Sequence, residues 1–152
     1  MTTSGRRSGI DLDKLYQCEH SPVRTQIFWI EMLNIPTFVS VHFVRHKIGV
    51  EHFATSNRPD RGTGEADRMT PINHGMLINA QALINMAKKR LCYHASKETR
   101  ETMIAILKQI KVVDSGLSKR MVPECVYRGK ICHELKQCDF MKGAIDHCTD
   151  RR

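Results

Sequence analysis

Apolar residues first gather at 25–33, where Phe28, Trp29 and Ile30 sit in a largely hydrophobic run, interrupted by Glu31, long enough for a buried strand. Asn34-Ile35-Pro36 interrupts it, and Pro36 suits the first turn of a helix that runs to about Arg45. Residues 49–56 read as extended, and 57–68 as a loop dense in Gly, Pro and charge. From Pro71 the period becomes helical and persists through 71–94. A further helix starts near Ser96, whose hydroxyl can cap it, and buries Met103, Ile104, Ile106, Leu107 and Ile110 at helical spacing. Residues 1–11 are rich in Ser, Gly and Arg and are expected to stay flexible until docked.

These elements predict an α+β protein: one domain over 1–118, with a small antiparallel sheet packed by long helices, and an irregular Cys/His-rich tail over 119–152. Within the helical stretch, Asn79, Asn85, Arg90 and His94 stand at offsets 0, 6, 11 and 15. On a continuous helix Asn79, Arg90 and His94 share a wedge of about 60°, whereas Asn85 points about 120° away. A ligand touching all four needs a second chain or a bend, so the spacing predicts a site shared in an oligomer. A solvated polar helix face would show the same residues.

Composition narrows the picture without choosing an activity. The 152 residues are 41% hydrophobic and 26% charged, ordinary for one folded domain. No apolar run approaches the roughly 20 residues of a membrane span, and MTTSGRRSG leads into no apolar segment. A cytoplasmic protein is therefore expected. Lys and Arg outnumber Asp and Glu 24 to 16, a net charge of +8 that attracts phosphates of nucleotides or nucleic acids. Aromatics are too few, and too little interleaved with basic residues, for a stacking platform, which argues against nucleic acid.

Four of the six cysteines, Cys125, Cys132, Cys138 and Cys148, crowd the tail with His133 and His147. Their spacing, C-x6-C-H-x4-C-x8-H-C, contains no CxxC knuckle. Both a zinc-stabilised tail and free, partly buried thiols remain open. A zinc-containing, nucleic-acid-associated basic protein is the reading that zinc would favour.

Two blocks carry a more specific signal. Residues 19–61 place His20, an apolar strand, a helix and then Arg45-His46-Lys47 in an order that resembles the core of flavin-dependent thymidylate synthases, with their early His and RHRxxSxNxxSxRY motif. Downstream, Asn79, Asn85, Arg90, His94 and Arg100 match that family's NAR…N…LR…HAQWEIR segment without a gap. The resemblance covers about residues 19–112 and implies reductive methylation of dUMP, or a related deoxypyrimidine monophosphate, at C5. Methylenetetrahydrofolate would be the carbon donor, FAD the redox cofactor and NADPH its reductant, in a homotetramer with shared sites. It implies Arg90 as the catalytic residue and a substrate contact. His20, Arg45, His46, Lys47, Asn79, Asn85 and His94 become the cofactor contacts.

The chain departs from the pattern where substrate should bind. Lys47 replaces an arginine, and Val50 and His52 stand for Ser and Asn. His42 stands where a glutamine is usual, and Ser96 replaces the glutamine of HAQ. One inserted residue makes Ser56 and Arg58 the nucleotide contacts; without it Thr55 and Asn57 fall there. The region between the blocks is short, so Arg58, Arg61 or Arg68 would have to hold the phosphate. A chain this short and basic has the look of a viral enzyme working in a host cytoplasm. The alternative is a homologue that keeps the fold as a flavin- or nucleotide-binding or structural protein.

Overall fold

The computed structural model describes residues 11–55, 67–138, 140 and 145–146. Within them the protein is α+β. Strands β1 (Ile27–Pro36), β2 (Val50–Ala54) and β3 (Pro71–Asn79) form an antiparallel sheet in the order β1-β3-β2. Helices α1 (Leu12–Cys18) and α2 (Thr37–Phe43) flank β1, with a 3-10 turn at Ser21–Thr25. After β3 come α3 (Ala80–Arg90), α4 (Lys97–Val113), α5 (Ser115–Arg120) and α6 (Glu124–Tyr127). A two-residue parallel pair, β4 (Ile131–Cys132) and β5 (Ile145–Asp146), lies in the tail. No described helix is long and apolar enough to cross a membrane.

The stretch 71–94 is not one helix, contrary to expectation. Its first nine residues are the central strand β3, and the chain turns helical at Ala80. Ile72, His74, Met76 and Ile78 recur at period two, and all four are buried. Pairing on both sides overrides the helical period carried back from Ala80. Gly75 belongs to that pairing, since a Cβ there would lie 2.9 Å from the Trp29 ring. Consequently the wedge of Asn79, Arg90 and His94 does not exist. Asn79 caps α3, its side chain accepting the Ala82 N–H at 2.8 Å, and His94 lies beyond the last helical residue, Arg90.

Helix α3 sits at the centre, with Ala80, Ala82, Leu83, Ile84, Met86 and Ala87 all buried. Around it the core gathers Val39 and Phe43 of α2, Met76 and Ile78 of β3, and Met103, Ile106 and Ile110 of α4. The expected α4 stripe is right except for Ile104, which is exposed, and Leu107, which is only partly buried. Strand β1, expected to be buried, is instead an edge strand that leaves Ile27, Trp29 and Leu33 exposed. A bulge between Met32 and Ile35 holds Asn34 at φ 53°, with its N–H on the Asn73 side chain. Pro36 ends β1 and precedes α2, which stops at Phe43 rather than Arg45. Residues 50–54 are extended as expected. The expected domain boundary after residue 118 falls inside α5, and Leu117 and Met121 both join the core.

One glycine fixes how β2 meets α3. Gly49 has φ +75°, its carbonyl accepts the Asn79 N–H at 2.9 Å, and an added Cβ would lie 2.4 Å from the Asn79 amide nitrogen. Gly49→Ala should therefore strain the turn and displace the α3 cap, costing on the order of 1 kcal/mol or more. Thermal denaturation reads this directly, and an unchanged midpoint would contradict it.

Candidate functional site

Helix α2 has only two turns, so its last carbonyls need partners from elsewhere. Val44 N–H serves Ser40 and His46 N–H serves Phe43, both at 3.0 Å. The His42 carbonyl instead accepts from Nη2 of Arg90 at 2.6 Å, which brings the end of α3 against the end of α2. Arg90 Nε is buried without a hydrogen-bond partner, as is Nε2 of His46. Unsatisfied buried polar atoms are costly and uncommon, so two at one place mark it out.

The electrostatics there are one-sided. Burial, with Arg45 adding, lowers the Arg90 pKa, but a guanidinium stays charged at neutral pH. Burial, then the Arg90 cation and His52, push His46 down to about 4, so its ring is neutral at pH 7. Burial and the charges of Arg90, Arg45 and Arg68 lower His42, whose Nδ1 lies 2.8 Å from Thr99 Oγ1. Arg68 packs over Phe38, 4.8 Å from its ring centroid. Among the described residues none of Arg45, Arg68 and Arg90 forms an ion pair. Three guanidiniums spaced along α2, with Arg68 over Phe38 in its first turn and Arg45 and Arg90 at its last, none of them ion-paired among the described residues, suit an anion, or a planar group offering paired acceptors.

A buried polar ladder supports this helix end. Ser40 Oγ lies 2.8 Å from His74 Nδ1, His74 Nε2 lies 2.9 Å from His52 Nδ1, and His52 Nε2 lies 2.7 Å from the His46 carbonyl. A carbonyl only accepts, so His52 donates from Nε2, its Nδ1 accepts from His74, and His74 Nδ1 accepts the Ser40 hydroxyl. The ladder ties Arg45-His46-Lys47 to β2 and β3. His74 is 1% exposed, and burial together with His52 pushes its pKa down to about 4. Ser40 is equally buried, which suits cross-linking rather than nucleophilic attack.

The other predicted residues lie elsewhere. Asn85 is exposed on α3 and accepts from Lys88 Nζ at 3.1 Å. Gln81, Asn85 and Lys88 share the flank of α3 roughly opposite Arg90. His20 is exposed beside Glu19, whose carboxylate takes the Gln81 amide and the Tyr127 hydroxyl and lies 3.8 Å from Lys88. His94 donates from Nε2 to the Lys136 carbonyl at 2.7 Å. Arg45 and Lys47 are exposed. Ser56, Arg58 and Cys148 lie outside the described residues. The Thr55 hydroxyl bonds the Asn73 backbone, so it is already engaged.

One chain thus brings together Arg45, His46 and Arg90, and leaves His20 and Asn85 on the opposite flank of α3 and His94 against the tail. The predicted flavin contacts do not converge within a single chain, and Asn79 spends its amide oxygen on the helix cap. Sequence reasoning missed the ladder of Ser40, His52 and His74. Its signal was present in the period-two burial of β3, which sets His74 on the same face as His52 of β2. Compared with protein-family models and with curated proteins, the chain matches none.

Proposed function

We propose that the chain is a flavin-dependent thymidylate synthase-like enzyme that binds a deoxypyrimidine monophosphate such as dUMP at the Arg45, Arg68 and Arg90 cluster. The observation that carries this reading is Arg90 itself: half-buried, charged, unmatched at Nε and set beside a neutral His46. The order of elements adds support, since His20, strand β1, helix α2 and Arg45-His46-Lys47 follow one another in the fold as the family's pattern requires. Arg90 would direct paired donors at a pyrimidine carbonyl and stabilise charge as C5 becomes nucleophilic. Arg45 and Arg68 would hold the phosphate. FAD, reduced by NADPH, would supply the hydride, and methylenetetrahydrofolate the carbon.

The two flanks of α3 support an oligomeric form of the proposed enzyme. Arg90 faces α2 while His20 and Asn85 face away, so a ligand reaching both sets meets one from each of two copies. A groove of about 480 Å³ between β1 and α4, lined by Phe28, Ile30, Met32, Ile106 and Ile110, offers the apolar surface for such a homotetramer.

A visible absorbance titration tests this reading. With FAD added, purified protein should show bound flavin bands that shift as dUMP is titrated in. A protein that binds dUMP but never flavin favours the second reading, a homologue that retains the nucleotide site alone. The engagement of Asn79 as a helix cap and of His94 with the tail carbonyl is what favours that alternative. A protein that ignores both ligands overturns the proposal.

A further inference from the structure

Past Met121 the described residues have almost no apolar core of their own. Among the described residues after that point Cys132 alone is buried, and it does not join the main core cluster. Yet the tail is folded against the end of α3, and thiols meet there. Cys125 comes from α6, Cys132 from β4 and Cys138 from the segment beyond, while Cys92 comes from the turn after α3. All four line one hollow of about 20 Å³, with His94 and Glu134 also on its wall. That is room for about one water-sized sphere, enough for an ion and too little for a cluster. None of the four is in a disulfide.

We propose that Cys92, Cys125, Cys132 and Cys138 hold one zinc ion as a structural tetrathiolate site that fastens the tail to the end of α3. A metal does for the tail what a hydrophobic core would otherwise do, since ligand binding is then folding free energy. Among the described residues no three His, Cys, Asp or Glu side chains stand in position to hold an ion as they are. Loading therefore draws the sulfurs inward, until neighbours are about 3.8 Å apart around Zn–S bonds of about 2.3 Å. Four S–H bonds break and four Zn–S bonds form, Zn²⁺ is not reduced, and four protons pass to solvent. This set differs from the one the tail spacing suggests on its own, because Cys92, more than thirty residues upstream, takes part.

Two measurements on the full chain decide it, and neither depends on the proposed enzymatic activity. The protein purified under reducing conditions should contain one zinc per chain by elemental analysis. Native alkylation followed by mass mapping should modify the exposed Cys18 quickly and spare Cys92, Cys125, Cys132 and Cys138 until a chelator is added. Cys92→Ser should lose the zinc and Cys18→Ser should keep it. Should Cys92→Ser fail to fold, cobalt added to chelator-stripped wild type should give the intense absorption of a tetrahedral thiolate site. Metal-free protein whose six thiols all react alike, or zinc that survives in Cys92→Ser, would overturn the assignment.

Discussion

Turnover of dUMP falls at least about a hundredfold in Arg90→Ala, with the flavin spectrum unchanged, if Arg90 performs the electrostatic role proposed for it. The same side chain also donates to the His42 carbonyl, so its removal costs stability as well, on the order of 1 kcal/mol. Arg90→Lys separates the two roles. Lysine keeps a donor for the carbonyl and a positive charge but loses the planar fork, so thermal stability should recover while turnover does not. Recovery of both would reduce Arg90 to a helix cap. Loss of flavin from Arg90→Ala with nucleotide affinity intact would also contradict the assignment.

Acid is expected to destabilise the fold through two histidines that refuse a proton. Unfolded, His74 and His46 titrate near pH 6.5; folded, each is held at about 4. Between those values the unfolded chain binds more protons, so their contribution is complete above about pH 6.5 and drains away toward pH 4. For His74, enclosed between Ser40 and His52, the loss is about 2 kcal/mol; for the less enclosed His46 it is smaller. Urea denaturation of wild type at a series of pH values should show this decline beside the ordinary carboxylate background. His46→Gln, the safer substitution, should flatten it, and His74→Gln should flatten it further. Parallel profiles in wild type and His46→Gln would mean that the ring does not carry the effect.

Much of the fold was legible because local signals agreed with tertiary ones. Ser96 caps α4 as its hydroxyl suggests, and Met103, Ile106 and Ile110 pack at the spacing that predicts them. Residues 71–79 read as helical because Ile72 and Met76 stand four apart and the period of the following helix extends back through them, although Ile78 fits only an alternating count. Only the partners on either side, β1 and β2, decide between them. Of the candidate site, the pairing of Arg90 with Arg45 and His46 follows the two sequence blocks. Arg68 could be named only as one of three replacements, and Ser40 and His74 could not be named at all, because their roles arise from contacts across α2, β2 and β3. Cys92 was hidden for a similar reason: thiol counting along the tail cannot see a fourth member supplied by the end of a helix.

Strand β3 passes into α3 through Asn79 with no intervening loop. The register of the sheet and the rotation of the helix are therefore geared together. A single residue inserted after Asn79 would turn every α3 side chain by about 100° relative to the sheet, swinging Arg90 off α2 and pushing Lys88 or Asn85 toward other surroundings. Length variation among descendants of this chain should consequently be purged at this junction and accumulate where no such gearing exists. The spacing from β3 to Arg90 then serves as a ruler by which a distant relative can be recognised after most of its side chains have changed.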